Sequence, residues 1–219
     1  MSKLRREAGF TIMELMIATV VFSVILLLVT YGIIQIGNRY FKATLQSQTQ
    51  TAARNAIDEV SRNLQFSDGT LSTTAPNSDG VGAYCINNTQ YLYMLRKMQV
   101  QTGSPQHVLV VRPDPGSCAV PTDLSYFQNG LGSNERDLLG NRMRLAAFDV
   151  SGPNANGVFA IKLRVVTGDD DLLCSPSAGC TGSDSELASN SDITCKGGAG
   201  STYCAYSELS TAVTRRLSQ

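Results

Sequence analysis

The sequence predicts an α+β fold. A long N-terminal helix, membrane-spanning in its first half and amphipathic in its second, packs on an antiparallel β-sheet head with a disulfide-bounded C-terminal loop. Three observations predict it. Residues 15–38 carry no charge, and no proline occurs before Pro76. Residues 158–166 alternate apolar with polar side chains. All six cysteines lie well beyond the uncharged run, four of them in or beside a segment poor in large apolar groups.

The helix comes first. An uncharged run of this size exceeds the ~20 residues a bilayer-spanning helix needs. A secretory signal peptide has a shorter apolar stretch followed by a small-residue cleavage site. Here the cut is expected before the run. Lys3, Arg5 and Arg6 precede the run, so the charge bias puts the leader in the cytoplasm and the body on the other side of the membrane. Glu14 stands alone inside the apolar stretch, where an unpaired carboxylate costs on the order of a few kcal/mol. It reads either as a helix-start acid favoured by the macrodipole or as a partner for the amine that cleavage would free on Phe10.

Without proline, one helix is possible from about Phe10 to about Phe66. Gly32 and Gly37 are its expected points of bending. Beyond Arg39 the pattern turns amphipathic: Phe41, Leu45, Ala52, Ala56, Val60 and Leu64 share one face. Arg54, Asp58 and Arg62 lie four residues apart on another and are expected to pair there. Ser67-Asp68-Gly69 is the expected stop.

The head reads as strand and turn. Tyr91–Leu95 and Val108–Val111 are short runs of β-formers. Pro113-Asp114-Pro115-Gly116 and Asn129-Gly130 are turn signals. The clearest hairpin pairs Met143–Val150 with Val158–Val166. In its second strand Phe159, Ile161, Leu163 and Val165 alternate with Ala160, Lys162 and Arg164, which gives one core face and one wet face. Residues 174–202 are rich in Ser, Gly, Thr and Asp, a composition too poor in apolar groups to order itself. Crosslinks, each worth ~2–4 kcal/mol, are expected to do so. Tyr203–Leu217 is expected to form a last strand.

An even number of cysteines in an exported segment implies up to three disulfides among Cys85, Cys118, Cys174, Cys180, Cys195 and Cys204. Six cysteines allow fifteen pairings; we expect Cys85–Cys118, with the other four bridging among themselves.

The stretch Gly9-Phe10-Thr11-Ile12-Met13-Glu14-Leu15-Met16-Ile17-Ala18 resembles the type III signal of type IV pilins and type II secretion pseudopilins. The resemblance is specific over roughly residues 5–40. It implies cleavage by prepilin peptidase after Gly9, N-methylation of Phe10, and an assembly role for Glu14. In that family the acid pairs with the terminal amine of a neighbouring subunit as the helix moves from bilayer to filament core. The cysteine-bounded C-terminal segment resembles the corresponding pilin loop, and Thr211–Arg216 is similar to the closing strand of several pilin-like heads. Thr51–Phe66 (TAARNAIDEVSRNLQF) is similar to minor pilins and pseudopilins of the W and J type, beside the ordinary reading of a surface-paired helix. The resemblance thus implies a structural subunit, a minor pilin, of a type IV pilus-like filament. Its implied partners are prepilin peptidase, other pilin subunits, the membrane and an inner-membrane assembly platform. Its implied location is the cell membrane with a cytoplasmic N-terminus and an extracytoplasmic head, and the pilus after assembly. The expected divisions are a leader at 1–9, a transmembrane and filament-core helix at 10–38, an amphipathic half at 39–66 and the head at 67–219. The alternatives are a major pilin, a secretion pseudopilin and an uncleaved, single-pass anchored binding module.

Composition weighs against other classes. The chain has 18 basic and 18 acidic residues. Loss of residues 1–9 would remove Lys3, Arg5, Arg6 and Glu7, leaving 15 and 17, so no basic excess argues for nucleic acid. The basic residues Arg96, Lys97, Arg142, Arg144, Arg215 and Arg216 lack aromatic interleaving and read as solvated surface. Catalysis is not expected. His107 is the sole histidine, at the edge of a strand, and any Ser-His-Asp or Cys-His system would have to use it. No cofactor is expected, and the cysteine spacings C-x5-C, C-x14-C and C-x8-C lack the tight pair typical of zinc sites. Asp169, Asp170, Asp171, Asp184, Glu186 and Asp192 are possible calcium ligands, but they match no EF-hand spacing and read first as solvated acids.

Overall fold

The computed structural model describes residues 11–68, 70–101, 105–113, 115–121, 124–198 and 200–216, with the backbone alone at Asp184. It divides into two units, one ending at Phe41 and one beginning at Lys42. Helix α1 (Ile12–Gln65) contributes to both.

In the first unit α1 is apolar all round. Its most apolar 18-residue window has a mean hydropathy of 2.7 and no buried residue, so by length and composition it suffices to cross a membrane. The hydroxyls in this stretch are closed off along the helix. Thr19 Oγ1 donates to the Met16 carbonyl at 2.9 Å, Ser23 Oγ to Thr19 at 2.8 Å and Thr30 Oγ1 to Leu26 at 2.8 Å. Gln35 Nε2 donates to the Tyr31 hydroxyl at 2.6 Å. Where water is absent, each group would otherwise be left unsatisfied at considerable cost. The helix runs unbroken through Gly32 and Gly37.

In the second unit α1 buries Thr49, Ala53, Ala56, Ile57, Val60 and Leu64. The buried stripe shares Ala56, Val60 and Leu64 with the sequence-derived one and adds Thr49, Ala53 and Ile57, while Leu45 and Ala52 are half-buried and Phe41 is exposed. Ala53 and Ala56 are small enough to let the sheets approach the helix closely. The helix stops at Gln65, whose carbonyl accepts the Arg216 amide at 3.0 Å. Arg216 also places its guanidinium over the Phe66 ring. Gly69 of the expected stop signal lies outside the described residues.

The strands are, in chain order, β1 (Leu71–Thr74), β2 (Val81–Ile86), β3 (Thr89–Met94), β4 (Leu109–Pro113), β5 (Arg136–Asp137), β6 (Met143–Ser151), β7 (Val158–Thr167) and β8 (Leu173–Cys174). After a short helix α2 (Asp184–Ser189) follow β9 (Thr194–Cys195) and β10 (Ala205–Thr214). They form an antiparallel five-stranded sheet in order β1-β2-β3-β4-β5, a three-stranded one in order β10-β7-β6 and a β8-β9 pair. The hairpin expected at 143–166 is β6–β7. Its turn is held by Asn154, whose side-chain oxygen accepts from the Asn156 and Val158 amides, an Asx-type device. The expected final strand is shorter than Tyr203–Leu217, because Ser201–Tyr203 form a 3-10 turn. Pro113, read as a turn residue, closes β4.

The main core joins α1 to the inner faces of both larger sheets, through Ile57, Val60 and Leu64 on the helix and Tyr91, Leu145, Ile161 and Leu163 on the strands. Tyr84, Tyr93 and Phe148 interlock with centroids 5.1–5.4 Å apart. The Tyr93 ring lies over Gly82, its cross-strand partner, where a Cβ would collide with it. A second cluster on the far side of β2-β3-β4 gathers Val81, Leu92, Val110 and Phe127, so these strands are buried on both faces and show no alternation. A third cluster adds packing against residues outside the segment to the crosslinks expected to order residues 174–202. Leu187 of α2 and Ile193 pack with Leu173, Ala146 and Val166. This is also why the alternation of β7 stops at Val166.

Candidate functional site

The N-terminal end of α1 carries the residue of greatest interest. Gly9 and Phe10, assigned above to cleavage and methylation, lie outside the described residues. Glu14 sits in the first turn, and its Oε2 accepts from the Thr11 amide and from Thr11 Oγ1, both at 3.0 Å. Thr11 Oγ1 in turn accepts from the Glu14 amide at 3.3 Å. With the helix beginning at Ile12, Thr11 is the N-cap and Glu14 the third residue, a reciprocal capping box. The sequence signal was Thr-x-x-Glu, and Thr11 is the residue our reading missed. Below Glu14, Ile17, Ala18, Val21, Phe22 and Ile25 continue one apolar strip of the helix surface. Chemically, the arrangement keeps a carboxylate on an otherwise apolar helix by feeding it two local donors. Among the described residues its other oxygen, Oε1, makes no hydrogen bond and is open to an incoming cation.

The six cysteines come together in three pairs at disulfide distance, Cys85–Cys118, Cys174–Cys180 and Cys195–Cys204. The first ties β2 to the segment after β4. The other two tie the C-terminal lobe, the second of them at the start of β10.

Four of the acids considered for calcium, Asp169, Asp170, Glu186 and Asp192, are engaged by protein donors. Arg142 Nη2 donates to Asp169 at 2.5 Å, and Arg144 pairs with Asp170. The buried Glu186 carboxylate accepts from Thr181 Oγ1 at 2.5 Å, from the Gly182 amide at 2.6 Å and from the Ser175 amide. The Thr181 hydroxyl, followed by these amides, holds its pKa down at about 2. Asp192 is lowered likewise, first by the Ser175 hydroxyl and then by the Ser177 amide. Among the described residues no group of three or more His, Cys, Asp or Glu is placed to hold a metal ion.

Four of the basic residues considered for nucleic acid are engaged by acids or backbone carbonyls. Arg142 and Arg144 are in the ion pairs just described. Arg96 Nη1 donates to the Ser189 carbonyl at 2.9 Å and Arg215 Nη1 to the Asp68 carbonyl at 2.5 Å. Arg54, Asp58 and Arg62 form no ion pair with one another among the described residues. On that side of the helix Glu59 instead pairs with Arg136 of β5. A tertiary partner replaces the local i, i+4 series.

His107 is engaged at both ring nitrogens. Its Nδ1 lies 2.9 Å from Asp137 Oδ2 and its Nε2 lies 3.1 Å from the Asn129 carbonyl. Gln99 Nε2 also donates to Asp137 Oδ2, at 2.7 Å. Burial raises the Asp137 pKa against these bonds.

In the comparisons with curated proteins and with solved structures, nothing matches. Residues 4–30 match the family model described as the prokaryotic N-terminal methylation motif, the segment that contains the Thr11–Glu14 box and the start of the exposed apolar helix. This prepilin-type motif, heading a helix whose second half packs on an antiparallel sheet, supports placing the chain in the type IV pilin and pseudopilin family.

Proposed function

We propose that this chain is a structural subunit, specifically a minor pilin, of a type IV pilus-like filament. The observation that carries the reading is a methylation motif leading into an exposed helix that is uncharged over residues 15–38, with one self-capped carboxylate at its start. Prepilin peptidase cuts after Gly9 and the new Phe10 amine is methylated. The subunit waits in the membrane on residues 10–38, with its N-terminus at the cytoplasmic face and residues 67–219 outside. At the inner-membrane assembly platform the helix passes into the filament core. There Glu14 exchanges its Thr11 donors for the amine of a neighbour, so that two groups costly in an apolar medium neutralise each other. The amphipathic half, 39–66, remains with the head. The minor rather than major role draws on the size of the head and on the W- and J-type likeness of Thr51–Phe66. A secretion pseudopilin would use the same motif and the same step.

The test is Glu14→Ala in cells that build the filament. Cleavage should persist while incorporation into sheared filaments falls; normal incorporation would sink the pairing step. Gly9→Val should block processing, and a correctly trimmed Gly9→Val chain would refute the assigned cut.

A further inference from the structure

The open edge of β10 is the surface the proposed function leaves unused. Other sheet edges are short or guarded. β1 has four residues and β5 two. β6 carries a register shift between Leu145 and Ala147 and is covered by bridges from Leu95 and Met98. β10 differs on each count. It pairs with β7 over ten residues without a bulge and contains no proline. Its one charged residue, Glu208, is spent on Arg164 and Lys162. Soluble proteins normally blunt such an edge.

Beside that edge runs a groove of about 420 Å³, walled on its other side by Lys42, Gln46 and Gln50 of α1. Five consecutive strand residues, 205–209, line it. Side chains alternate faces along a strand, so consecutive lining places the backbone edge itself in the groove. Among the described residues, the backbone of 205–209 makes no hydrogen bond beyond its pairing with β7. Lys42 forms no ion pair among the described residues either.

We propose that this groove binds an extended, acidic segment of a partner protein, which adds to β10 as a further strand. An edge strand faced by a helix across a groove is the arrangement used for strand addition. A helix could not occupy it in this way, because it satisfies its own backbone groups. Five residues facing 205–209 would span about 17 Å. The carboxylate requirement comes from Lys42, the one cation among the described residues that line the groove, with the Gln46 and Gln50 amides next to it for polar side chains.

The test uses the full chain in detergent and a fluorescein-labelled ten-residue peptide alternating valine with threonine and glutamate. Saturable binding by anisotropy is expected. Lys42→Glu, a change at an exposed helix position, should weaken it about fivefold, as reversal of one exposed ion pair implies. Two further peptides carry backbone N-methyl groups at alternate positions, one in each phase. Strand addition requires that one phase abolishes binding and the other preserves it. No binding at millimolar peptide, or equal binding by both methylated peptides, would overturn the proposal. So would a sedimenting dimer that excludes the peptide, because the edge would then belong to a second copy.

Discussion

Breaking the crosslinks one at a time should destabilise the head in an order fixed by loop length. Cys85–Cys118 closes a loop with a sequence separation of 33, against 6 for Cys174–Cys180 and 9 for Cys195–Cys204. On the chain-entropy account the three constrain the unfolded chain by about 3.7, 2.2 and 2.6 kcal/mol at 25 °C. Each pair is replaced by two alanines, so that no hydroxyl is left in the buried sites of Cys85, Cys174 and Cys204. Urea unfolding of the detergent-held chain is followed by tyrosine fluorescence, since it has eight tyrosines and no tryptophan. With a slope of about 2 kcal/mol/M, loss of Cys85–Cys118 should move the midpoint down by nearly 2 M. Each of the other losses should move it by little more than 1 M. A Cys85/Cys118 double variant less affected than either of the others would refute the reasoning. It would mean that local packing around Leu187 and Ile193, rather than chain closure, sets the contribution of these bonds.

Three further outcomes follow from the same geometry. The Glu186 carboxylate has a folded pKa of about 2, lowered from 4.5, so its stabilising effect is present above the unfolded value and is lost as pH falls from about 4.5 towards 2. Hydrogen exchange of Ser175 and Gly182 should therefore accelerate across that window and become pH-independent beyond its intrinsic dependence in Glu186→Gln. Leu64 is fully buried at the end of the helix stripe, and Leu64→Ala should cost about 2–5 kcal/mol in the same urea assay; a loss below 1 kcal/mol would contradict the packing described. Thr11→Val should fray the first turn of α1 in micelles by NMR while Thr11→Ser preserves it; identical spectra for the two would remove the capping box from the account.

Periodic features were legible in the sequence. The proline-free, uncharged run gave the helix, and the alternation of Phe159 to Val165 gave the β6–β7 hairpin. Both signals are local and repeat over many residues. What escaped was local but short, or distant. Thr11-x-x-Glu14 and Ser183-x-x-Glu186 are both helix-start patterns, and Ser183 does cap α2 by accepting from the Glu186 amide. Each is only four residues long and was read for its acid alone. The C-terminal lobe orders around Leu187 and Ile193, two isolated apolar residues whose partners Leu173, Ala146 and Val166 lie elsewhere in the chain. Glu59 with Arg136 and His107 with Asp137 are pairings across 77 and 30 positions, which no spacing rule reaches. The division of Arg54, Asp58 and Arg62 from Glu59 shows tertiary geometry overriding a helical i, i+4 pattern.

The central claim is that a trimmed, methylated chain enters a filament through its apolar helix, and the most direct test is intact-mass and peptide analysis of filaments sheared from cells. The account predicts a chain that starts at N-methylated Phe10, is six hydrogens lighter than its reduced form and is present at low abundance among the subunits. A chain absent from filaments and retained in membranes with residues 1–9 attached would contradict it.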